Sequence, residues 1–189
     1  MTDLWELPER LTVGTAELAI NADFRNILKI FRFFQRQELP EALRWEVALR
    51  LFYRDPVPET HRREAMEALS RFLTCGQMGK PGPKLLDWDH DAMVIVSDVN
   101  RVAGCEIRQM PFLHWWTFLG WFHAIGEGQL SGLVSIRRKL ATGKKLEEHE
   151  RQFYQDQKTR VDLPKHYTAG ELAEQARLRA LLDGRDPVT

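Results

Sequence analysis

"PFLHWWTFLGWFHAIG", residues 111–126, holds three tryptophans and three phenylalanines in little more than four helical turns. A stretch this apolar is a membrane span, a ligand site or a helix packed into protein. A spanning helix needs about 20 consecutive apolar residues. This one is shorter, carries His114 and His123, and lies between Arg108 and Glu127, so length and flanks argue against the membrane. Trp115, Phe118, Leu119 and Phe122 recur at helical spacing, while Phe112, Trp116 and Trp121 fall on other faces, so the helix is apolar nearly all round. Pro111 fits its first turn. Such a helix is either central in a core or shared between a core and a partner's surface, and periodicity leaves both readings open.

The two histidines do not make a metal site, because nine residues of helix turn through about 900° and place them on opposite faces. Just upstream, "DWDHD" gives Asp87, Asp89 and Asp91 the spacing that opens a calcium loop, with Asp98 at its twelfth position. Ala92 stands where that loop needs glycine, and a helical stripe starts there: Ala92, Ile95, Val96, Val99 and Val102, closed by Gly104. Helix capping accounts for the same acids, with Asp89 as N-cap, Asp91 in the first turn and Trp88 stapled onto Met93.

Working outward, Leu11, Val13, Ala16, Leu18 and Ile20 alternate around Gly14 and fit a short hairpin, against the poor strand propensity of Ala and Glu. From Asp23, a capping residue, Phe24, Ile27, Leu28 and Phe31 take up helical spacing. Pro40 opens a helix with Trp45, Ala48, Leu49 and Phe52 on one face, ending before "DPVP". Pro58 opens another, striped by Ala65, Met66, Leu69, Phe72 and Leu73 and ended by Gly76, with Glu59–Arg63 and Glu67–Arg71 as expected i,i+4 pairs. Beyond the aromatic run, helices are expected over roughly 129–142, stopped by Gly143, and 145–158. A capping box from Thr168 to Glu171 starts a terminal helix closed by Gly184.

The expected fold is mainly α, a compact multi-helix domain with a small N-terminal β-hairpin. Residues 1–75 hold the hairpin and first helices, 76–86 a Gly/Pro-rich connection, 87–160 the aromatic-rich helices, and 161–189 a helical tail. At 189 residues the chain has room for one well-buried domain. Lys plus Arg and Asp plus Glu balance at 27 each, so no global field draws in nucleic acid or an anionic membrane. Cys75 and Cys105 lie far apart without a CxxC, which suits two reduced thiols, though sequence leaves a bridge open. The acidic, proline-bearing start "MTDLWELPER" lacks the features of a secretory signal.

Catalytic motifs fail one by one. "GQMGK" lacks the spacing of a phosphate loop, and in "GQLSG" Ser131 is one place late for a nucleophile elbow. No catalytic, cofactor or metal residues are assigned. In "SIRRKLATGKKLEEHER", Arg137, Arg138 and Lys139 crowd one turn and Lys144 and Lys145 follow. The acids just after them and the lack of interleaved aromatics favour a solvated face over a phosphate patch.

"DWDHDAMVIVSDVNRVAG", "LHWWTFLGWF" and "SIRRKLATGKKLEEHERQFYQ" together resemble the bacteriophage protein family named for a fifteenth gene product, with weaker support from "NADFRNILKI". The tail after Val161 has no counterpart in it. The resemblance implies a non-enzymatic tail assembly chaperone of long-tailed phages or prophages, acting in the host cytoplasm and absent from the mature virion. Its expected partners are the tape-measure protein and the tail-tube subunit, with self-association open and membrane and nucleic acid disfavoured. The partner-binding candidates are Trp115, Trp116, Trp121, Phe122, Arg137 and Arg138. The rival readings are a structural component of the virion, and a nucleic-acid binder using Arg137, Arg138, Lys139, Lys144 and Lys145.

Overall fold

The computed structural model describes residues 5–77 and 82–182. The hairpin is formed: β1 (Arg10–Val13) pairs antiparallel with β2 (Ala16–Ala19), Val13 opposite Ala16. Gly14 makes the turn at φ +61°, and a Cβ there would meet the His61 ring at 2.6 Å, so the position demands glycine twice over. The poor strand formers are overridden by tertiary pairing, because Ile20 bridges to Tyr53 and the Arg54 N–H donates to the Ala19 carbonyl at 2.9 Å.

α1 (Phe24–Gln35) starts at Asp23, whose carboxylate accepts from the Arg25 N–H at 2.9 Å. α2 (Glu41–Phe52) stops before the Asp55–Pro56 step as expected. A 3-10 turn (Glu59–His61) leads into α3 (Arg62–Leu73). The ion pairs there differ from expectation: Glu59 meets Arg62 at 3.4 Å and Glu67 meets Arg63 at 3.1 Å. The 3-10 turn shifts the register by one and gives Arg63 the downstream acid.

α4 (Ala92–Ala103) ends at Gly104 with φ +69°. α5 (Trp115–His123) is shorter than expected, since Pro111 to Leu113 lie outside it and His114 is its cap. α6 (Gln129–Ala141) is followed by Gly143 with φ +66°. α7 begins at Glu148 rather than near Lys145, runs to Asp156, and breaks at Gln157 before the single turn of α8 (Lys158–Val161). α9 (Ala169–Leu182) carries the expected box: Thr168 N–H to the Glu171 carboxylate at 2.7 Å, and Glu171 N–H to Thr168 Oγ1 at 3.2 Å. Gly184, and part of the 76–86 connection, lie outside the described residues.

One contiguous cluster of buried side chains runs from Val13 to Val161. Ile27 and Ile30 of α1 are wholly enclosed, as are Phe52, Leu69, Val99 and Ile107, each contributing about 1.5–3 kcal/mol by burial. α1 packs on α2 and touches α5, α4 bridges α5 and α6, and α6 rests on α8. Cys75 and Cys105 are unpaired, and burial pushes the Cys75 thiol up to about 11. Among the described residues no helix is long and apolar enough to cross a membrane.

Candidate partner-binding surface

The aromatic helix is seated by its cap. His114 is buried, accepts the Trp116 N–H on Nδ1 at 3.1 Å, and holds the Pro8 carbonyl through Nε2 at 3.2 Å. Burial pushes its imidazole below the ordinary histidine range, so it serves as a neutral cap rather than a metal ligand. A short ladder, Phe24 N–H to Leu113 at 2.9 Å and Trp115 N–H to Ala22 at 2.7 Å, fastens this corner to the start of α1.

Two indoles then do the same task. Trp115 Nε1 donates to the Leu73 carbonyl at 3.0 Å and Trp116 Nε1 to the Phe72 carbonyl at 2.9 Å. Both acceptors belong to the last turn of α3, where carbonyls have no partner within the helix. Trp115 is 1% exposed, among Phe31, Trp88 and Phe118, and so cannot meet a partner. Trp116 is half-buried against Phe72. Trp121 and Phe122 are also half-buried, with Phe122 against Trp88 at 5.2 Å. Trp88 thus belongs to the aromatic core. The expected staple to Met93 is not made, and Met93 is 72% exposed.

The acids of "DWDHD" divide differently from expectation. Asp91, not Asp89, stands at the N-cap of α4, without a side-chain cap bond. Asp87 holds the turn before it, its Oδ1 accepting the N–H groups of Asp89 and His90 at 3.0 Å, while Oδ2 takes Lys84 at 2.7 Å and His166 at 3.0 Å. Burial alone would raise this carboxyl, but those four hydrogen bonds outweigh it and hold the acid far below its usual range. Asp91 is turned inward onto Arg137. The guanidinium forms a fork with it at 2.7 and 2.8 Å, and its remaining donors reach the carbonyls of Val161 at 2.7 Å, Arg160 at 2.9 Å and Leu85 at 3.0 Å. All five guanidinium N–H groups are used.

This overturns the solvated reading of Arg137, which is 5% exposed and ties α4, α6 and α8 together. Its neighbour Arg138 does face solvent. Lys139 is engaged too, clamped on both Glu150 oxygens at 2.7 Å. The hydrogen bond from Lys139 holds the Glu150 carboxyl below its usual range.

α6 and α7 form an antiparallel pair with an open groove between them. The Lys139–Glu150 clamp closes one end; at the other, Arg160 donates to the Gln129 side chain at 2.7 Å. The groove has a volume of about 570 Å³, with Leu133 and Ile136 below and Phe153, 37% exposed, on its wall. Gly128, Gly132 and Ser135 leave its α6 side nearly bare. Its start is held from outside: Asp98 of α4, 5% exposed, accepts the Leu130 N–H at 2.9 Å. A Cβ on Gly128 would come within 2.7 Å of that carboxylate. Asp98 is thus a capping residue acting across 32 positions, not a calcium ligand. An apolar cleft with one smooth wall admits a helix laid lengthwise.

Sequence reasoning missed this groove. The signal was present in the small residues Gly128, Gly132 and Ser135 recurring along one helix, together with Phe153 on the next. Of the expected partner residues, the structure leaves Arg138 exposed, keeps Trp116, Trp121 and Phe122 half-exposed, and encloses Trp115 and Arg137. Among the described residues, no group of three or more His, Cys, Asp or Glu side chains could hold a metal ion.

Comparison with known proteins returns no match among curated proteins and none among solved structures. The family described as bacteriophage Gp15 protein matches residues 4–163, every element from the hairpin through α8. The chain belongs to the bacteriophage Gp15 protein family.

Proposed function

We propose that this phage protein is a non-enzymatic tail assembly chaperone that binds helical segments of the tape-measure protein and assists addition of tail-tube subunits in the host cytoplasm. The observation that carries the reading is the open α6–α7 groove: it is apolar, two turns long and smooth on one side, as a site for an amphipathic helix must be. A tape measure presents long apolar helical seams, and a groove of this kind shields them transiently. Of the expected partner residues, Trp116, Trp121, Phe122 and Arg138 remain at least partly exposed, outside the lining of the groove. The nucleic-acid alternative is weakened, because Arg137 and Lys139 spend their charges on Asp91 and Glu150, leaving Arg138, Lys144 and Lys145 exposed.

The test is co-expression with the tape-measure protein and capture of the complex. Phe153→Asp, a change at a partly exposed position, is expected to weaken capture by at least about tenfold, equivalent to about 1.4 kcal/mol. Undiminished capture by a variant with unchanged melting temperature refutes the groove assignment. Recovery of the protein in stoichiometric amounts from purified virions favours a structural component instead.

A further inference from the structure

We infer that residues 163–182 form a hinged arm, latched to the body by His166 on Asp87, that opens without unfolding the domain and uncovers the end of α1. The core stops at Val161: among the described residues, no hydrophobic side chain beyond it belongs to the buried cluster or packs against it. Asp162 is still held, its N–H donating to the Lys158 carbonyl at 2.8 Å and its carboxylate accepting the Tyr154 hydroxyl at 3.1 Å. Pro164 disfavours helix at Leu163, and the chain leaves α8 there. From that point to Leu182, the one hydrogen bond that reaches the body among the described residues joins His166 Nε2 to Asp87 Oδ2 at 3.0 Å. α9 adds little to the hold. From 169 to 180 only Gln175 and Ala180 are even half-buried, and Leu172 and Leu178 are 43% and 51% exposed.

The chemistry of the latch lets it part. Asp87 Oδ2 takes Lys84 at 2.7 Å beside His166, and Oδ1 takes the N–H groups of Asp89 and His90, so the carboxylate keeps three donors when the imidazole leaves. The imidazole is 29% exposed, and water takes the place of the acid on Nε2. Arg137 on Asp91 is the contrast, since both partners of that pair are enclosed and parting would strand them.

Beneath the strap lies a hollow rather than a packed layer. An open cavity of about 660 Å³ is walled by Pro164, His166 and Tyr167 of the strap and by Phe31, Phe34 and Lys84 of the body. A segment that lies over a void gives up few contacts when it lifts, and such segments open locally at low cost. Phe31 and Phe34 are half-buried with the strap in place, Phe31 against Trp88 and Phe34 against Trp45. Lifting the arm leaves those ring pairs intact and turns their open edges to water, so the open form gains an apolar surface on α1. The family match ends at residue 163, where the arm begins. None of this rests on the chaperone reading.

Trypsin reads the latch on the purified full-length chain. Cleavage after Lys165 requires the strap to lift, whereas Arg177 lies on the unpacked α9 and serves as an internal reference. His166→Ala is expected to raise the initial rate of cleavage after Lys165, relative to that after Arg177, by about tenfold, because the lost hydrogen bond has a charged acceptor and cleavage tracks the open population. The urea midpoint is expected to stay at the wild-type value, and hydroxyl-radical labelling of Phe34 to rise in the same variant. An unchanged cleavage ratio shows that His166 does not hold the arm. A lowered urea midpoint shows that the strap is part of the body, and faster cleavage with unchanged Phe34 labelling shows that the arm covers nothing. Each of these three results overturns the inference.

Discussion

Replacing Arg137 with alanine leaves the Asp91 carboxylate enclosed without its countercharge and strands three carbonyls. The expected loss is about 3–5 kcal/mol in urea denaturation. Arg138→Ala, one position along, is expected to stay within about 0.5 kcal/mol, since its side chain faces water. Lysine at 137 is a poor substitute, because three donors on a flexible stem cannot reproduce a planar fork with five. Equal losses at 137 and 138 would show that the guanidinium is not the tie described. Nothing in the "IRRK" string separates these residues. Helical geometry places their side chains about 100° apart, but which of them meets solvent depends on where α4 and α8 lie.

At the level of elements, starts and stops were legible wherever the chemistry was local. Asp23, Gly104, Gly143 and the Thr168–Glu171 box act within a few residues of themselves, and each is where its residue type implied. Caps supplied from elsewhere were not legible: Asp98 on α6, the Trp115 and Trp116 indoles on the end of α3, and the hydrogen bonds that seat His114. Gly128→Ala tests one of them. The backbone there is extended, so alanine fits its conformation, but its Cβ would lie 2.7 Å from the Asp98 carboxylate and push the cap aside. A loss of about 0.5–2 kcal/mol is expected, with faster amide exchange confined to the first turn of α6. An unchanged exchange pattern would mean that Asp98 does not hold that turn.

For the whole molecule, acid is expected to act in two stages. Burial lowers the His114 pKa, so the folded protein binds fewer protons there than the unfolded chain. Its contribution is complete above about pH 6.5 and declines as pH falls toward the folded value. The Asp87 pKa is also depressed in the fold, so its contribution is complete above about pH 4 and is lost below that. Urea midpoints should therefore fall modestly between about pH 7.5 and 5.5 and further below about pH 4. A midpoint flat across the first interval would mean that His114 is not buried in its neutral form. The helical class, the hairpin, the approximate helix limits and the family could all be read along the chain, because hydrophobic period, turn residues and caps are short-range patterns. The enclosure of Trp115 and Arg137, the reassignment of the "DWDHD" acids and the α6–α7 groove came only with the packed chain. Each depends on groups tens of residues apart converging on one point, and a one-dimensional pattern does not encode that distance.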